Sequence, residues 1–451
     1  MAPLNYDGAR DVVSGALTAQ APLEIRIECD GVAWATLAAL PDEAVAYRWN
    51  FECRLRPVAA PTPSTIVASS AGTEIGRGDF VRQPLRNGFG LLASDAFGVD
   101  HHPFSALPWI GFDGARLTIS GMHLPPEGDP AKLRVEFEPG VVAQVAYGLP
   151  SPEFGTHYWY WPNAARSSFA ATIDLAASHK RSDPFHFRFG YVDGGGTGGG
   201  KRPVDFWLPR SFSSYVGHPQ DPTQLSRVQT WSNSATVTVT GYNAFKTLEA
   251  LFAAHGLTRD AAPAILDWGC GHGRVTTHFI DAWPQPTIFG TDVDTENIAW
   301  CRQNLASDRF EVAPLWPPLP FGEGSFDGIF GISVMTHLTA SAQDAWLAEL
   351  ARILRPGGIA LLTFQADANA AFQSVWRDPA WWAAWRSSGF DADQHDPALD
   401  DKIADGTYYR NTTQSTADFR SRCARHFEVL GIEPALFGGY QDCAVLRKGN
   451  A

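Results

Sequence analysis

The sequence predicts an α/β domain with a doubly wound parallel sheet in the C-terminal half, preceded by one or two all-β sandwich modules. Two observations carry this. Before about residue 225, apolar and polar positions alternate in short runs such as Leu23-Glu24-Ile25-Arg26-Ile27-Glu28-Cys29 and Lys132-Leu133-Arg134-Val135-Glu136-Phe137, punctuated by Pro and Gly, which is the period of half-buried strands. After it, apolar runs alternate with helical spacing, as in the strand-like Ile265-Leu266-Asp267 and the helix-like Trp346, Leu347, Leu350, Ile353 and Leu354.

In chain order, residues 1–110 read as a β-rich module, 111–216 as a β-sandwich module, 217–240 as a linker and 241–451 as the α/β domain. A short internal repeat supports two N-terminal modules: Asp7-Gly8-Ala9-Arg10 returns as Asp113-Gly114-Ala115-Arg116, Ser14-Gly15 as Ser120-Gly121 and Leu40-Pro41 as Leu149-Pro150. His157-Tyr158-Trp159-Tyr160-Trp161 makes both faces of a strand aromatic, one for the core and one suited to stacking on a sugar ring. Gly194-Gly195-Gly196-Thr197-Gly198-Gly199-Gly200 reads as a hairpin tip; no Lys-Ser/Thr pair follows to make it a phosphate loop. The helix opening the C-terminal domain is expected near Gly241-Tyr242-Asn243, with Phe245, Leu248, Leu251 and Phe252 inward.

The most informative run is Ile265-Leu266-Asp267-Trp268-Gly269-Cys270-Gly271-His272-Gly273-Arg274-Val275. A strand ends at a carboxylate, glycines at alternate positions turn the chain, and a helix starts with its free N–H groups toward whatever lies in the turn. The spacing is G-x-G-x-G, not the G-x-G-x-x-G of dinucleotide enzymes, and the acid just before it suits a cationic amine better than a diphosphate. Thr287-Ile288-Phe289-Gly290-Thr291-Asp292-Val293-Asp294 is a second strand ending in an acid, with Asp294 placed to cap the next helix. Leu319-Pro320-Phe321 and Ser325-Phe326-Asp327 lead into a strand ending near Ser333, Thr336 and His337. Arg355-Pro356-Gly357-Gly358 closes a helix ahead of the strand Ile359 to Phe364. Phe427–Ile432 with Tyr440–Leu446 reads as a closing antiparallel hairpin.

In this order the elements resemble a Rossmann-like class I S-adenosylmethionine-dependent methyltransferase domain, of the generic bacterial type, over about residues 240–448. The resemblance implies a seven-stranded sheet with an antiparallel closing hairpin and S-adenosyl-L-methionine as cofactor. It also implies Asp267, Gly269, Cys270, Gly271, Gly273, Asp292, Val293 and Ser333 as its binding residues: Asp267 faces the methionine amine, the glycines lie under the ligand and Asp292 meets the ribose. The acid that often meets adenine has no obvious counterpart in Ala313-Pro314-Leu315-Trp316-Pro317-Pro318. Asp267-Trp268-Gly269-Cys270-Gly271 with Arg274, Ile332-Ser333-Val334-Met335-Thr336-His337-Leu338 and the terminal Gln441-Asp442 resemble bacterial enzymes found with glycosyltransferases and surface-polysaccharide genes.

His337, beyond the fourth strand of the domain, is the candidate general base for a hydroxyl acceptor; the alternative is a histidine packed beside the methionine portion. His272 reads as a solvent-facing spacer and Arg274 as a helix-end side chain. Trp376, Trp381, Trp382 and Trp385 form a hydrophobic lid, a homodimer surface or part of an extended core. The Asn/Asp-Pro-Pro-Tyr/Phe signature of nucleobase amino methylation is missing after Gly331-Ile332-Ser333-Val334. The net charge of −13 and the absence of Lys/Arg runs also argue against a nucleic-acid partner. The cysteines at 29, 53, 270, 301, 423 and 443 show no C-x-x-C pairing, so no metal site is expected. No apolar run reaches the length of a membrane span and no signal-peptide pattern opens the chain, so a cytoplasmic location is expected. The leading expectation is O-methylation of a carbohydrate or surface-glycan hydroxyl, with the β-modules holding glycan or a glycan-synthesis enzyme. The alternatives are a methyltransferase on a small apolar metabolite and a non-catalytic cofactor-binding adaptor.

Overall fold

The computed structural model describes residues 3–8, 12–20, 23–41, 48–55, 61–82, 105–112, 115–123, 133–137, 139–151, 166–174, 177, 185–191, 204–208, 219, 221–228, 234–283, 288–305, 308–373, 377, 379–403, 405–438 and 441–449. His157–Trp161, the 194–200 glycine run and Trp376 lie outside the described residues. The chain divides into two compact units: Met1–Lys180 with Phe187–Asp205 and Ser374–Pro379, and Arg181–His186 with Phe206–Gln373 and Ala380–Ala451.

The N-terminal strands are β1 (Asn5–Asp7), β2 (Val12–Thr18), β3 (Glu24–Cys29), β4 (Val32–Ala38), β5 (Leu40–Pro41), β6 (Arg48–Arg54), β7 (Thr62–Ser70) and β8 (Thr73–Arg82). They are followed by β9 (Ser105–Phe112), β10 (Arg116–His123), β11 (Leu133–Phe137), β12 (Val142–Leu149), β13 (Ser168–Asp174), β14 (Phe185–Tyr191) and β15 (Val204–Leu208). They pair as β1-β2-β6-β5, β4-β3-β7-β8, β12-β13-β10-β9 and β11-β14-β15. Alternation places Ile25 and Ile27 of β3 and Ile66 and Ala68 of β7 in one core with Val13 and Phe51, so the first two sheets face each other as a sandwich.

Two of the N-terminal sheets share a strand pairing. β1-β2-β6-β5 and β9-β10-β13-β12 follow the same succession of hairpin, crossover and hairpin. Within them Gly15 stands opposite Phe51 and Gly121 opposite Phe169. A side chain on Gly15 would collide with the Phe51 ring, so the glycine leaves room for an aromatic to cover the strand.

The second unit holds α1 (Pro222–Val228), α2 (Ser234–Ala254), β16 (Ile265–Trp268), α3 (Thr276–Ala282), β17 (Ile288–Asp292), α4 (Thr295–Asn304), β18 (Phe310–Val312) and β19 (Phe326–Gly331). It continues with α5 (Ala340–Ile353), β20 (Leu354–Phe364), α6 (Asp367–Gln373), α7 (Pro379–Ser388), β21 (Phe390–His395), β22 (Arg410–Gln414), α8 (Thr416–Cys423), β23 (Glu428–Phe437) and β24 (Gln441–Arg447). Its sheet runs β18-β17-β16-β19-β20-β24-β23; β24 and β23 are antiparallel, and the other adjacent pairs are parallel. One face packs Trp346, Leu347 and Leu350 of α5 with Phe419 of α8. The other packs Phe245, Leu248 and Phe252 of α2 with Phe279 of α3. Helices on both faces bury the strands twice over, which is why β16 and β20 read as continuous apolar runs.

Two boundaries differ from expectation. The long helix starts at Ser234, not near Gly241, and α1 also falls in the stretch expected as linker. Its β-branched start, Thr236-Val237-Thr238-Val239-Thr240, has poor helix propensity, but Val237 and Val239 are wholly buried, and burial overrides propensity. The Arg355–Gly358 run belongs to β20 as an irregularity, the register shifting between the Phe326↔Leu354 and Gly328↔Ile359 pairs.

Candidate functional site

The C-terminal ends of β16, β17 and β19 converge, as open α/β sheets require of a ligand site. At the end of β16 the Asp267 carboxylate is buried and accepts a hydrogen bond from Thr276 Oγ1 at 2.5 Å. Burial pushes its pKa up to about 7, opposed by the Thr276 bond and the Arg274 charge and reinforced by Asp292. Gly269, Gly271 and Gly273 all take positive φ, at 80°, 54° and 78°. Their missing side chains make room for protein: Val334 stands over Gly269, Val228 of α1 over Gly271 and Leu305 over Gly273.

At the end of β17, Asp292 accepts from Gly271 N at 2.7 Å and Asp294 N at 2.8 Å, so its carboxylate clamps the glycine turn. Burial raises its pKa to about 6 against these backbone bonds. Val293 follows, half-buried against the α5 face. Asp294 caps α4, accepting from Glu296 N and Asn297 N, as its position predicts. Cys270 does not reach the mouth through its side chain: the thiol packs beneath the turn with Ile298, Cys301 and Phe310. Its N–H donates to Thr291 O and its carbonyl accepts from Gly273 N. His272 is 1% exposed and sits edge-on to Trp300 at 5.9 Å, which overturns its reading as a solvent-facing spacer.

Ser333, just past β19, is one of few non-glycine residues with a left-handed backbone, φ 60°. The single helical turn Met335–His337 follows. His337 lies flat on Tyr409, ring centroids 4.3 Å apart and planes 11° from parallel. Its Nδ1 lies 3.2 Å from Asp396 Oδ2 and 3.2 Å from the Arg410 carbonyl. Two oxygens at one ring nitrogen place the proton on Nδ1 and the lone pair on Nε2. Asp396 is desolvated, but the bonds from His337 and Ala398 N outweigh burial and hold its pKa below the usual carboxylate value. Tyr409 is raised far above its ordinary range by burial, with the charges of Asp396 and Asp292 adding to it.

Asp396, Tyr409 and the clamp around α1 were not legible in the sequence as site residues. Arg227 of α1, 5% exposed, reaches Asp294 at 3.1 Å, Glu296 at 2.7 Å and Asp401 at 3.0 Å. The only linear signal for Asp396 is its position before Pro397, where it caps a short turn. Of the tryptophans on α7, Trp382 and Trp385 are buried and stacked at 5.4 Å, and Trp381 donates to Asp391 Oδ2 at 3.0 Å. They form core more than lid.

An acidic pair at a glycine turn fits a ligand carrying an amine: each carboxylate whose pKa is raised by burial gains from a nearby cation. Residues 265–358 match the family described as methyltransferase domain. The chain is 33% identical over 128 residues to trans-aconitate 2-methyltransferase of Azoarcus sp., covering 28% of this chain and 48% of that protein. It is 34% identical over 101 residues to the fatty-acid O-methyltransferase of Mycolicibacterium smegmatis, covering 22% and 36%. The chain thus spans about half the length, or less, of these curated relatives. A solved S-adenosylmethionine-dependent methyltransferase of Methanosarcina mazei aligns over 42% of this chain and 93% of that one, at 16% identity and a TM-score of 0.33. No helix among the described residues is long and apolar enough to cross a membrane. The strand order, the acid-flanked glycine turn and the family match over it together identify this part of the chain as a class I S-adenosylmethionine-dependent methyltransferase domain.

Proposed function

We propose that the protein is an S-adenosylmethionine-dependent O-methyltransferase acting on a hydroxyl, with a carbohydrate or surface glycan as the acceptor. The observation that carries this is the pairing of His337 with Asp396 at the mouth, beside the acids of the glycine turn. When bound, S-adenosylmethionine supplies an electrophilic methyl group. Asp267 and the turn from Gly269 to Gly273 would hold its amino-acid end and Asp292 its ribose, with Val293 and the Ser333 turn beside it. His337 Nε2 would take the proton of an acceptor hydroxyl, and Asp396 would keep the ring oriented and stabilise the imidazolium. Tyr409 covers the ring and excludes water.

The charge at the mouth favours a neutral acceptor. Asp267 and Asp292 stand at the glycine turn and Asp396 beside His337, while the neighbouring Arg227 and Lys402 pair with Asp294, Glu296 and Asp401. Arg410 donates to the carbonyls of Ala392 and Asp393. The related trans-aconitate and fatty-acid enzymes are named for carboxylic acids, and an anionic acceptor here would face like charge. Asn411 and Thr413 share the Tyr409 face of their strand, and Asn411 Oδ1 and Thr413 Oγ1 are buried without hydrogen-bond partners, positions suited to further acceptor hydroxyls. The N-terminal sandwiches are assigned to glycan or partner binding.

The test combines calorimetric titration of S-adenosylhomocysteine with methyl-labelled cofactor offered to neutral glycosides, carboxylic acids and apolar extracts. Label in the glycosides is the expected result. Label in carboxylates or apolar extracts rejects the acceptor assignment, and absent turnover with intact cofactor binding favours an adaptor.

A further inference from the structure

The terminal strand enters the site through one residue. Gln441, the first residue of β24, and Thr363, near the end of β20, are both buried. They close a ring with Ser333: Ser333 N donates to Thr363 Oγ1 at 2.8 Å, Thr363 Oγ1 donates to Gln441 Oε1 at 2.7 Å, and Gln441 Nε2 donates to Ser333 Oγ at 2.7 Å. A threonine hydroxyl has one proton, so donation to Gln441 leaves its oxygen to accept from Ser333, and the direction around the ring is fixed. The ring encloses the one residue of the β19 loop whose backbone is left-handed, a conformation that a Cβ disfavours. The next residue, Val334, occupies the space over Gly269. Thr336 Oγ1 donates back to Ser333 O at 2.8 Å and His337 N to Val334 O at 3.0 Å, so the whole turn bearing His337 is hung from Ser333.

We infer that Gln441 is a positioning residue: by holding Ser333 in its left-handed state it seats Val334 on the glycine turn and fixes the turn that carries His337. It is the Gln441 amide, a donor and an acceptor on one rigid group, that bridges Ser333 to Thr363. Released from the ring, Ser333 relaxes toward negative φ and Val334 is driven off or into Gly269, which has no side chain to absorb the change.

The inference rests on the reading of the glycine turn as the cofactor site. The test measures S-adenosylhomocysteine affinity by calorimetry on the full chain, with circular dichroism confirming the fold at the same temperature. Gln441→Ala is expected to weaken binding roughly fivefold or more, about 1 kcal/mol. Gln441→Glu, which keeps an acceptor for Thr363 but loses the donor to Ser333, is expected to do the same and serves if the alanine variant does not fold. Ser333→Gly removes the conformational cost, so adding it to either variant should restore affinity to about that of Ser333→Gly alone. A residue that only stabilises the sheet would not be rescued by a glycine in another loop. Wild-type affinity in the Gln441 variants, or failure of Ser333→Gly to rescue them, overturns the inference. A wild-type chain that binds no S-adenosylhomocysteine overturns the cofactor reading and this inference with it, and is told apart by that control.

Discussion

Asp267 shows how one side chain can couple binding to pH. Its pKa of about 7, set by burial, leaves it largely protonated at pH 6, and in the proposed cofactor site it would have to ionise to meet a ligand amine. S-adenosylhomocysteine affinity should therefore fall as pH drops from 8 toward 5.5, by up to roughly tenfold per unit for a single coupled proton. Proton release on binding, read by calorimetry in buffers of different ionisation enthalpy, checks this, and Asp267→Asn should abolish both the release and most of the affinity. At the other wall, His337→Ala should lower kcat by about 10²- to 10⁴-fold at unchanged cofactor affinity, the range for a general base. Asp396→Asn should cost less, since the imidazole stays oriented but the imidazolium loses its counter-charge. Loss of cofactor affinity in the His337 variant would place that ring with the ligand instead.

Among the elements, α1 is the least predictable from its own sequence and among the most consequential. Seven residues are too few to hold a helix in water, and α1 persists because Arg227 ties it to the start of α4 and to Asp401 while Val228 lies on Gly271. Arg227→Ala should free it and weaken S-adenosylhomocysteine binding by roughly tenfold. Arg227→Lys should fall between, since an ammonium cannot fork toward separate carboxylates. Hydrogen exchange across residues 222–228 reports the release directly; unchanged protection in Arg227→Ala would refute the tethering role. The β21–β22 pair is the second such element. Its strands lie outside the main sheet, yet the Leu338↔Tyr409 bridge and the bond from Thr412 Oγ1 to Leu338 O at 3.0 Å lay β22 along the His337 turn. This lays Tyr409 on the His337 ring.

At the scale of the whole molecule, two buried acids with raised pKa values contribute a pH dependence of one sign. Asp267 and Asp292, at about 7 and about 6, bind protons in the folded chain that carboxylates of the unfolded chain have already lost. The folded state thus holds more protons between about pH 4 and 7, and this contribution to stability is present at low pH and fades as pH rises through the folded values. The ligand-free protein should lose thermal midpoint between pH 5 and 8 from this source. Asp267→Asn should flatten that slope, while bound S-adenosylhomocysteine should reverse it.

The α/β order of the C-terminal half was legible because burial on both faces writes continuous apolar strands and one-sided helices into the chain. The glycine turn was legible because left-handed backbone selects glycine. Asp294 was readable as a cap for the same kind of local reason. In the N-terminal strands, Gly15 pairs with Phe51 and Gly121 with Phe169, a small residue opposite a large one across neighbouring strands. What the linear order could not contain were relations between distant segments: Asp396 behind His337, Tyr409 on its ring, Arg227 over the turn, Gln441 under Ser333, and the burial of His272. Hydrogen bonds and ion pairs between separate loops leave no periodicity in either partner. They exist only once the sheet has brought its strand ends to one edge, and for that reason tertiary structure alone decided how the site is held.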